Sequence, residues 1–182
     1  GIKITNNDVL KRLRGAGGTK VKISIKRRGV SRLLDFTITR GKIPIYSVDA
    51  AYMIDKQIGY IKISRFAATT YDEFLKASDA LLEQGMKNLV LDLRGNPGGY
   101  LNTAISICDE FLSTGKKIVY TQGKSHPRED YTATSTGRLE DLKLAILIDE
   151  GSASASEIVS GALQDNDRGV IIGRRSFGKG LV

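Results

Sequence analysis

The sequence predicts an α/β fold with a largely parallel sheet. From about residue 59 onward, strand-like apolar segments alternate with segments that repeat apolar residues at helical spacing. Hydrophobic residues make up 41% and charged residues 26% of the 182 positions, a balance typical of globular chains and not of disordered ones. The longest purely apolar run, Leu144 to Ile148, is far shorter than the roughly 20 residues of a membrane-spanning helix.

The first 40 residues predict one helix and one hairpin. Thr5 or Asn6 can cap a helix that ends near Gly15. Two runs, 21–26 and 34–39, alternate apolar and polar residues and therefore indicate half-buried strands. Because a helix and a hairpin of this length do not close a core, we interpret the segment as the end of a domain.

The following residues predict the first strand–helix–strand unit of the sheet. Residues 59–66 alternate as a strand, and Thr70 with Glu73 forms the pattern of a capping box ahead of an apolar helical face. That face stops at Gly85, and residues 89–93 predict the next strand.

The remaining elements continue the alternation. We expect a helix through Ile105, Cys108 and Leu112, a strand at 117–121 and a mobile polar loop at 122–138. Residues 144–149 form a continuous apolar run typical of a strand buried on both faces. A helix at 154–163 and a strand at 170–172 follow.

Charge and composition exclude several functions. The net charge of +8 lies at the start, with 12 Lys/Arg and 3 Asp/Glu in residues 1–50 and 16 and 17 in the rest. No aromatic residues interleave these cations, so we expect a solvated face and no nucleic-acid partner. The single cysteine, Cys108, and the single histidine, His126, exclude an internal disulfide and multi-cysteine or two-histidine metal motifs. We therefore expect no metal and no cofactor.

Two loops follow predicted strands at the edge where ligands of α/β sheets bind. In the first, Gly98 and Gly99 can direct backbone N–H groups at an anion. In the second, a Ser/Ala run precedes a helix, whose free N–H groups favour a developing negative charge. A serine there is placed to act as a nucleophile, but Ser154 with Glu157 also fits an ordinary capping box. The pattern does not choose among Ser152, Ser154 and Ser156.

A serine nucleophile requires a base, and the sequence offers two candidates. His126 lies in the polar 122–138 segment, which is a poor place for a group that must be held rigidly. Lys179 lies between Gly178 and Gly180, next to Phe177. It could accept a proton only as the uncharged amine, which requires removal from water. From the residues alone, a plain strand-edge lysine is the preferred interpretation.

Three motifs nevertheless resemble one family. They are NLVLDLRGNPGG at 88–99, GSASASEI at 151–158, and the segment from Gly173 to the FGKG of residues 177–180. In this order and spacing they are similar to the C-terminal processing, or tail-specific, serine peptidases. The resemblance implies a layered peptidase core of the ClpP/crotonase type, with largely parallel strands, at residues 44–182. Residues 1–43 resemble the C-terminal half of a PDZ-like domain.

The resemblance also implies a mechanism. The middle serine of the motif, Ser154, would be the nucleophile and Lys179, 25 residues later, the general base. Backbone N–H groups of Gly99 and Ala155 would form the oxyanion hole. The implied activity is a serine endopeptidase that recognises protein substrates by their C-terminal tails and cleaves through an acyl-enzyme. The alternative is a non-catalytic peptide- or ligand-binding protein on the same fold.

Two departures from the family pattern bear on the whole protein. The family usually places a glutamine four residues after the lysine, which would be position 183, and the first half of the PDZ-like domain would precede Gly1. We therefore expect a truncated, poorly active segment of a longer enzyme. The resemblance implies a bacterial periplasm or cell envelope, with export signals and membrane association supplied by other segments, and leaves oligomerisation open.

Overall fold

A computed structural model describes residues 4–41, 45–134 and 137–180. The chain clusters into two compact units, Gly1–Ile45 and Tyr46–Val182, here the N-terminal and C-terminal units. In sequence order the elements are α1 (Asn6–Leu13), β1 (Lys20–Ile25), β2 (Leu34–Thr39), β3 (Val48–Met53), β4 (Ile58–Ile63), α2 (Thr70–Glu83), β5 (Asn88–Asp92), α3 (Leu101–Asp109), β6 (Lys117–Gly123), β7 (His126–Thr132), β8 (Lys143–Ile148), α4 (Ala155–Asp165) and β9 (Val170–Gly173). None of the helices in these ranges has the length and apolar content that a bilayer crossing requires.

The N-terminal unit contains the predicted helix and hairpin. Thr5 caps α1 in a capping box with Asp8, whose carboxylate accepts the Thr5 N–H at 3.0 Å. The helix ends at Leu13, two residues before the expected Gly15. Strands β1 and β2 pair antiparallel, with apolar residues opposite one another at every second position. This apolar face is not buried within the described residues, and Phe36 and Ile38 are nearly half exposed.

The C-terminal unit is built on a five-stranded sheet in the order β3-β4-β5-β8-β9. Strands β4, β5, β8 and β9 are parallel, and β3 pairs antiparallel with β4 at one edge. The prediction of a largely parallel α/β sheet is confirmed. Strand β3, which the sequence analysis did not assign, is an addition to it.

The three helices of this unit cover one face of the sheet. Buried residues of α2, α3 and α4 pack against buried residues of the strands in one core that contains Ile61, Leu91 and Ile146. The opposite face is only partly covered, because Ala145 and Leu147 of β8 are half-buried and Val170 of β9 is 64% exposed. The expectation that β8 is buried on both faces is therefore wrong within the described residues.

Residues 122–138 were expected to form a mobile polar loop, and this prediction is wrong for most of the segment. Strand β7 pairs antiparallel with β6 in a separate two-stranded sheet. Polar contacts replace the missing apolar alternation: Lys117 pairs with Asp130 at 2.9 Å, and the guanidinium of Arg128 lies 4.1 Å from the centre of the Tyr120 ring. Residues 135 and 136 of the expected loop lie outside the described residues.

The predicted capping box of α2 is also wrong. Thr69, not Thr70, is the N-cap residue, and its hydroxyl donates to Glu73 Oε1 at 2.8 Å instead of capping a backbone N–H. The Glu73 carboxylate accepts the backbone N–H groups of Ser47 at 2.6 Å and Val48 at 3.0 Å. Glu73 therefore fastens the start of β3 to α2, a long-range contact that local sequence patterns do not reveal.

A buried carboxylate marks the end of β5. Asp92 is fully buried and accepts hydrogen bonds from Arg94 Nη2 at 2.7 Å and from the Tyr60 hydroxyl at 2.6 Å. Burial alone would raise the pKa of Asp92, but these hydrogen bonds outweigh it and lower the pKa. For Tyr60, burial and then the bond to Asp92 raise the pKa to about 12. The cluster fixes the point where the chain leaves β5.

We predict that Asp92→Asn destabilises the protein. The amide keeps the shape but loses the charge that Arg94 and Tyr60 bind, and it places a buried NH₂ group against the Arg94 donors, which leaves polar groups unsatisfied where Asp92 is fully buried. We expect the free energy of unfolding to fall by about 2 kcal/mol, measured by urea denaturation at pH 7.

Glu150→Gln is the matched control. Glu150 pairs with Arg174 at 2.7 Å, but both side chains are about 70% exposed. Since water screens exposed pairs, the urea midpoint of this variant should equal that of the wild type. Equal loss in both variants would contradict a special role for burial at Asp92.

Candidate active site

The two loops singled out from the sequence lie side by side. Residues 94–99, here the glycine loop, follow β5, and residues 149–154, the serine loop, follow the neighbouring parallel strand β8. Gly95 N–H donates to Asp149 Oδ1 at 2.8 Å, and Ala153 N–H donates to the Asn96 carbonyl oxygen at 3.0 Å. The carboxyl ends of adjacent strands thus bring both loops to one place.

Ser154 has an unusual backbone conformation. It is the N-cap residue of α4 with φ 54° and ψ −113°, a region that costs a residue with a side chain about 1–3 kcal/mol. Such strained residues persist where surrounding structure holds them, which is common at functional sites. Asp167 is the other described non-glycine residue with positive φ.

Burial distinguishes the three serines that the sequence left open. Ser152 and Ser156 are fully buried, and their hydroxyls donate to the carbonyl oxygens of Leu93 at 2.8 Å and Asn96 at 2.9 Å. Ser154 is only partly buried. Among the three, it is the serine that a substrate can reach.

The capping-box interpretation of Ser154 and Glu157 holds for the carboxylate. Ser154 N–H donates to Glu157 Oε2 at 2.9 Å, and Glu157 N–H donates to the Ser154 carbonyl oxygen at 2.9 Å. A serine hydroxyl at a helix start keeps its own proton. A cap and a nucleophile are therefore compatible roles for the same serine.

The glycine loop packs directly against Ser154. A Cβ at Gly98 would lie 2.8 Å from Ser154 Cβ, and one at Gly99 would collide with the Phe66 carbonyl oxygen. Both glycines have positive φ, 97° and 150°, so only glycine fits the space and the conformation. Asn96 Oδ1 accepts the Gly98 N–H at 2.8 Å and helps to hold this turn.

Two backbone N–H groups beside Ser154 are left for a ligand. Within the described residues, neither Gly99 N–H nor Ala155 N–H donates to another protein group. The first lies on the glycine loop and the second in the first turn of α4, where N–H groups have no intrahelical partner. Unpaired donors of this kind can stabilise an oxyanion.

Lys179 lies in the extended segment 174–180 that follows β9, here the lysine segment, and its side chain is exposed. Its backbone N–H donates to Glu157 Oε2 at 2.9 Å, the oxygen that also accepts Ser154 N–H. The structure thus brings the backbones of Ser154 and Lys179 to one carboxylate. Within the described residues, the Lys179 amine makes no hydrogen bond to the Ser154 hydroxyl.

Glu157 fixes the lysine segment at two further points. Its Oε1 accepts the Ser176 hydroxyl at 2.8 Å and the Gly178 N–H at 2.7 Å. Burial would raise the pKa of Glu157, but the bonds from Ser176, Gly178, Lys179 and Ser154 outweigh it and lower the pKa. The carboxylate is therefore held in its charged form.

The other candidate groups lie outside this arrangement. His126 is exposed at the start of β7, where it pairs with Gly123 of the neighbouring strand. Cys108 is buried in α3, and burial, with a smaller effect of Asp109, raises the pKa of its thiol, which disfavours the reactive thiolate. The described residues contain no group of His, Cys, Asp and Glu side chains that could hold a metal ion.

Comparison with known proteins gives the family. The family model for peptidase family S41 matches residues 57–182. The chain belongs to this family.

Several proteins similar to this chain are named as C-terminal processing proteases. A carboxyl-terminal-processing protease of Synechocystis sp. is 41% identical over 175 residues, which are 94% of this chain and 40% of that protein. The carboxy-terminal processing protease CtpA of Bacillus subtilis is 38% identical over 176 residues, 97% and 37% of the two chains. The photosystem II D1 C-terminal processing protease superposes with a TM-score of 0.66 and 30% identity, over 92% of this chain and 47% of that one. The chain spans about two fifths of the length of the curated relatives.

Glu157 is the site residue of this S41 chain that sequence reasoning missed. It was interpreted as half of a capping box, and its bonds to the lysine segment were not foreseen. The contacts span 19 to 22 positions along the chain, so no local pattern predicts them. The one available signal was its place three residues after the candidate serine.

We predict that Glu157→Gln loosens the lysine segment. An amide offers one acceptor oxygen and places an NH₂ group against backbone donors. We expect a loss of about 1–2 kcal/mol in the free energy of unfolding, since each bond to a charged acceptor is substantial but partly exposed to water. The amide protons of Gly178 and Lys179 should exchange faster in hydrogen-exchange measurements at pH 7.

The pH dependence follows from the lowered pKa of Glu157. The stabilisation is present above the ordinary value of 4.5 and is lost as pH falls through the folded-state pKa. The difference between the wild type and Glu157→Gln should therefore shrink below pH 4.5. Glu83→Gln, at the exposed end of α2, is the control and should leave the exchange of the Gly178 and Lys179 amide protons unchanged.

Proposed function

We propose that the protein is a serine endopeptidase that uses Ser154 as nucleophile and Lys179 as general base. The observation that carries the proposal is the shared Glu157 oxygen, which accepts both Ser154 N–H and Lys179 N–H. The reachable hydroxyl of Ser154 and the two unpaired N–H groups beside it support the same chemistry. Membership of peptidase family S41 agrees with a hydrolytic reaction on peptides.

The reaction begins with the uncharged amine of Lys179, which takes the proton of Ser154 as its oxygen attacks the scissile carbonyl carbon. The oxyanion that forms accepts hydrogen bonds from Gly99 N–H and Ala155 N–H. Lys179 then gives the proton to the leaving amine, and the C–N bond breaks to leave an acyl-enzyme. A water molecule, deprotonated by Lys179, attacks the ester carbonyl carbon. The ester C–O bond then breaks, and Lys179 returns the proton to the Ser154 oxygen as the new C-terminus leaves.

The mechanism requires that the amine of Lys179 be uncharged. A lysine acts as a base only when it is uncharged, and loss of water favours the uncharged form. The side chain is exposed in the chain described here, so a bound peptide and the rest of the enzyme must cover it. For this reason we expect the 182-residue chain alone to be poorly active.

We further propose that substrates are recognised by their C-terminal tails. The relatives are named as C-terminal processing proteases. In the N-terminal unit, the uncovered apolar face of the β1–β2 hairpin is what the C-terminal half of a PDZ-like domain would leave open, and α1 would form one wall of its peptide groove. A bacterial periplasmic or envelope location stays a prediction.

A non-catalytic peptide-binding protein on the same fold is the second candidate. It is favoured only by the exposure of the Lys179 amine and by its lack of a hydrogen bond to Ser154 within the described residues. The two candidates differ in turnover, and one assay separates them.

We predict that the full-length protein cleaves a peptide with an apolar C-terminal tail and that Ser154→Ala and Lys179→Ala each abolish cleavage. Loss of a nucleophile or its base costs about 10⁴-fold or more in kcat, because the two residues act as a unit. Cleavage is measured by mass spectrometry of the products, which also identifies the bond that is broken.

His126→Ala is the control and should keep the wild-type rate. Activity in Lys179→Ala together with loss of activity in His126→Ala would show that His126, and not Lys179, is the general base. Binding without turnover in the wild type would instead select the non-catalytic candidate.

Tail recognition predicts a dependence on the terminal carboxylate. A peptide with a free C-terminus should be cleaved about tenfold more efficiently than the same peptide with a C-terminal amide, because backbone donors of such grooves bind the carboxylate. The difference should appear in KM, measured with the full-length protein. Equal KM values would contradict tail recognition while leaving the chemistry of Ser154 and Lys179 intact.

A further inference from the structure

Two aromatic side chains border the candidate site and remain exposed. Phe177 is 68% and Tyr100 63% exposed, values among the highest of the large hydrophobic residues in the described parts of the C-terminal unit. Phe177 lies on the lysine segment, and Tyr100 follows the glycine loop directly. Exposed aromatic residues beside a functional site commonly mark a binding surface.

Both rings are attached to the loops that carry the proposed chemistry. A Cβ at Gly98 would lie 2.8 Å from Ser154 Cβ. Tyr100 follows Gly98 by two residues, so the Cα atoms of these two residues are at most about 7 Å apart. Phe177 precedes Lys179 by two residues. The N–H groups of Lys179 and Ser154 both donate to Glu157 Oε2. Both aromatic residues therefore lie two positions from a group that would act on a peptide at Ser154.

The backbones under these rings are held firmly. Phe177 N–H donates to the Ser152 carbonyl oxygen at 3.0 Å, and both neighbours of Phe177 are bound to Glu157. Tyr100 N–H donates to the Phe66 carbonyl oxygen at 2.8 Å. With the backbone fixed, only the two χ angles of each ring remain to be ordered on binding, which favours recognition by aromatic residues.

We propose that Phe177 and Tyr100 are specificity-determining residues, which contact apolar side chains of the substrate on either side of the scissile bond. This inference rests on the proposed function and adds the class of residue that the site accepts. An apolar side chain gains from leaving water against an aromatic ring, whereas a charged one loses its hydration without a partner. Cleavage should therefore fall between apolar residues.

The test compares peptides that carry Val or Asp on each side of the scissile bond, cleaved by full-length wild type, Phe177→Ala and Tyr100→Ala. In the wild type, the Val peptides should have the higher kcat/KM. The preference is the ratio of kcat/KM for the Val peptide to kcat/KM for the Asp peptide. In each alanine variant this ratio should fall about tenfold on one side of the scissile bond, since one apolar contact in a pocket contributes on this scale. Phe177→Leu, which keeps an apolar side chain, should restore part of the preference.

Tyr120→Ala is the matched control, because Tyr120 is also about half exposed but lies on the β6–β7 hairpin. It should leave the preference unchanged. A small uncharged fluorophosphonate, which phosphonylates an activated serine and releases fluoride, reports on Ser154 without using substrate side chains. The Phe177 and Tyr100 variants should react with it at the wild-type rate.

The outcomes separate the two proposals. An unchanged Val-over-Asp preference in both alanine variants, with normal fluorophosphonate labelling, overturns the specificity assignment and leaves the proposed function standing. Slower labelling in Phe177→Ala shows that the ring positions Lys179 and overturns a binding role for it. Absence of Ser154-dependent cleavage of every test peptide by the wild type defeats the proposed function, and this inference with it.

Discussion

The carboxylate of Glu157 is the interaction on which the candidate site depends. It collects four hydrogen bonds, one from the start of α4 and three from the lysine segment. Within the described residues, the other hydrogen bonds between residues 174–180 and the serine loop are those from Phe177 N–H to the Ser152 carbonyl oxygen and from the exposed Arg174 side chain to Glu150. Neither of them holds Gly178 or Lys179 directly. Charge-assisted bonds of this kind are about twice as strong as neutral ones, so one side chain can hold a glycine-containing segment in place.

The strained conformation of Ser154 is understandable from the same contacts. Its backbone is held on both sides: Ser154 N–H donates to Glu157 Oε2, and the Ser154 carbonyl oxygen accepts the N–H groups of Glu157 and Ile158. Buried Ser152 and Ser156 anchor the chain before and after it. Strain of about 1–3 kcal/mol is sustainable when so many bonds oppose relaxation. The result is a serine that is partly exposed next to Gly98, whereas Ser152 and Ser156 are buried.

The sequence predicted the elements whose patterns are local and missed the features made by distant contacts. The parallel strands and the helices between them were predictable because each shows its own apolar period. The choice among the three serines was not, since all three occupy the same Ser/Ala repeat and differ in burial and backbone conformation, which the repeat does not show. Glu73 and Glu157 were both interpreted as cap residues, because a carboxylate three positions into a helix is the usual sign of a cap. Their other partners lie 19 to 26 residues away, at Ser47 for Glu73 and in the lysine segment for Glu157.

The segment that was predicted least well has a structural consequence for the site. Strands β5 and β8 are neighbours in the sheet although β6 and β7 lie between them in sequence. A strand inside a parallel sheet needs apolar residues toward the core, and β7, with Arg128, Glu129 and Asp130, cannot supply them. The β6–β7 hairpin therefore forms a sheet of its own, and β8 pairs directly with β5. Only because of that pairing do the glycine loop and the serine loop meet, so the polar character of residues 122–132 is a condition for the contact between Gly98 and Ser154.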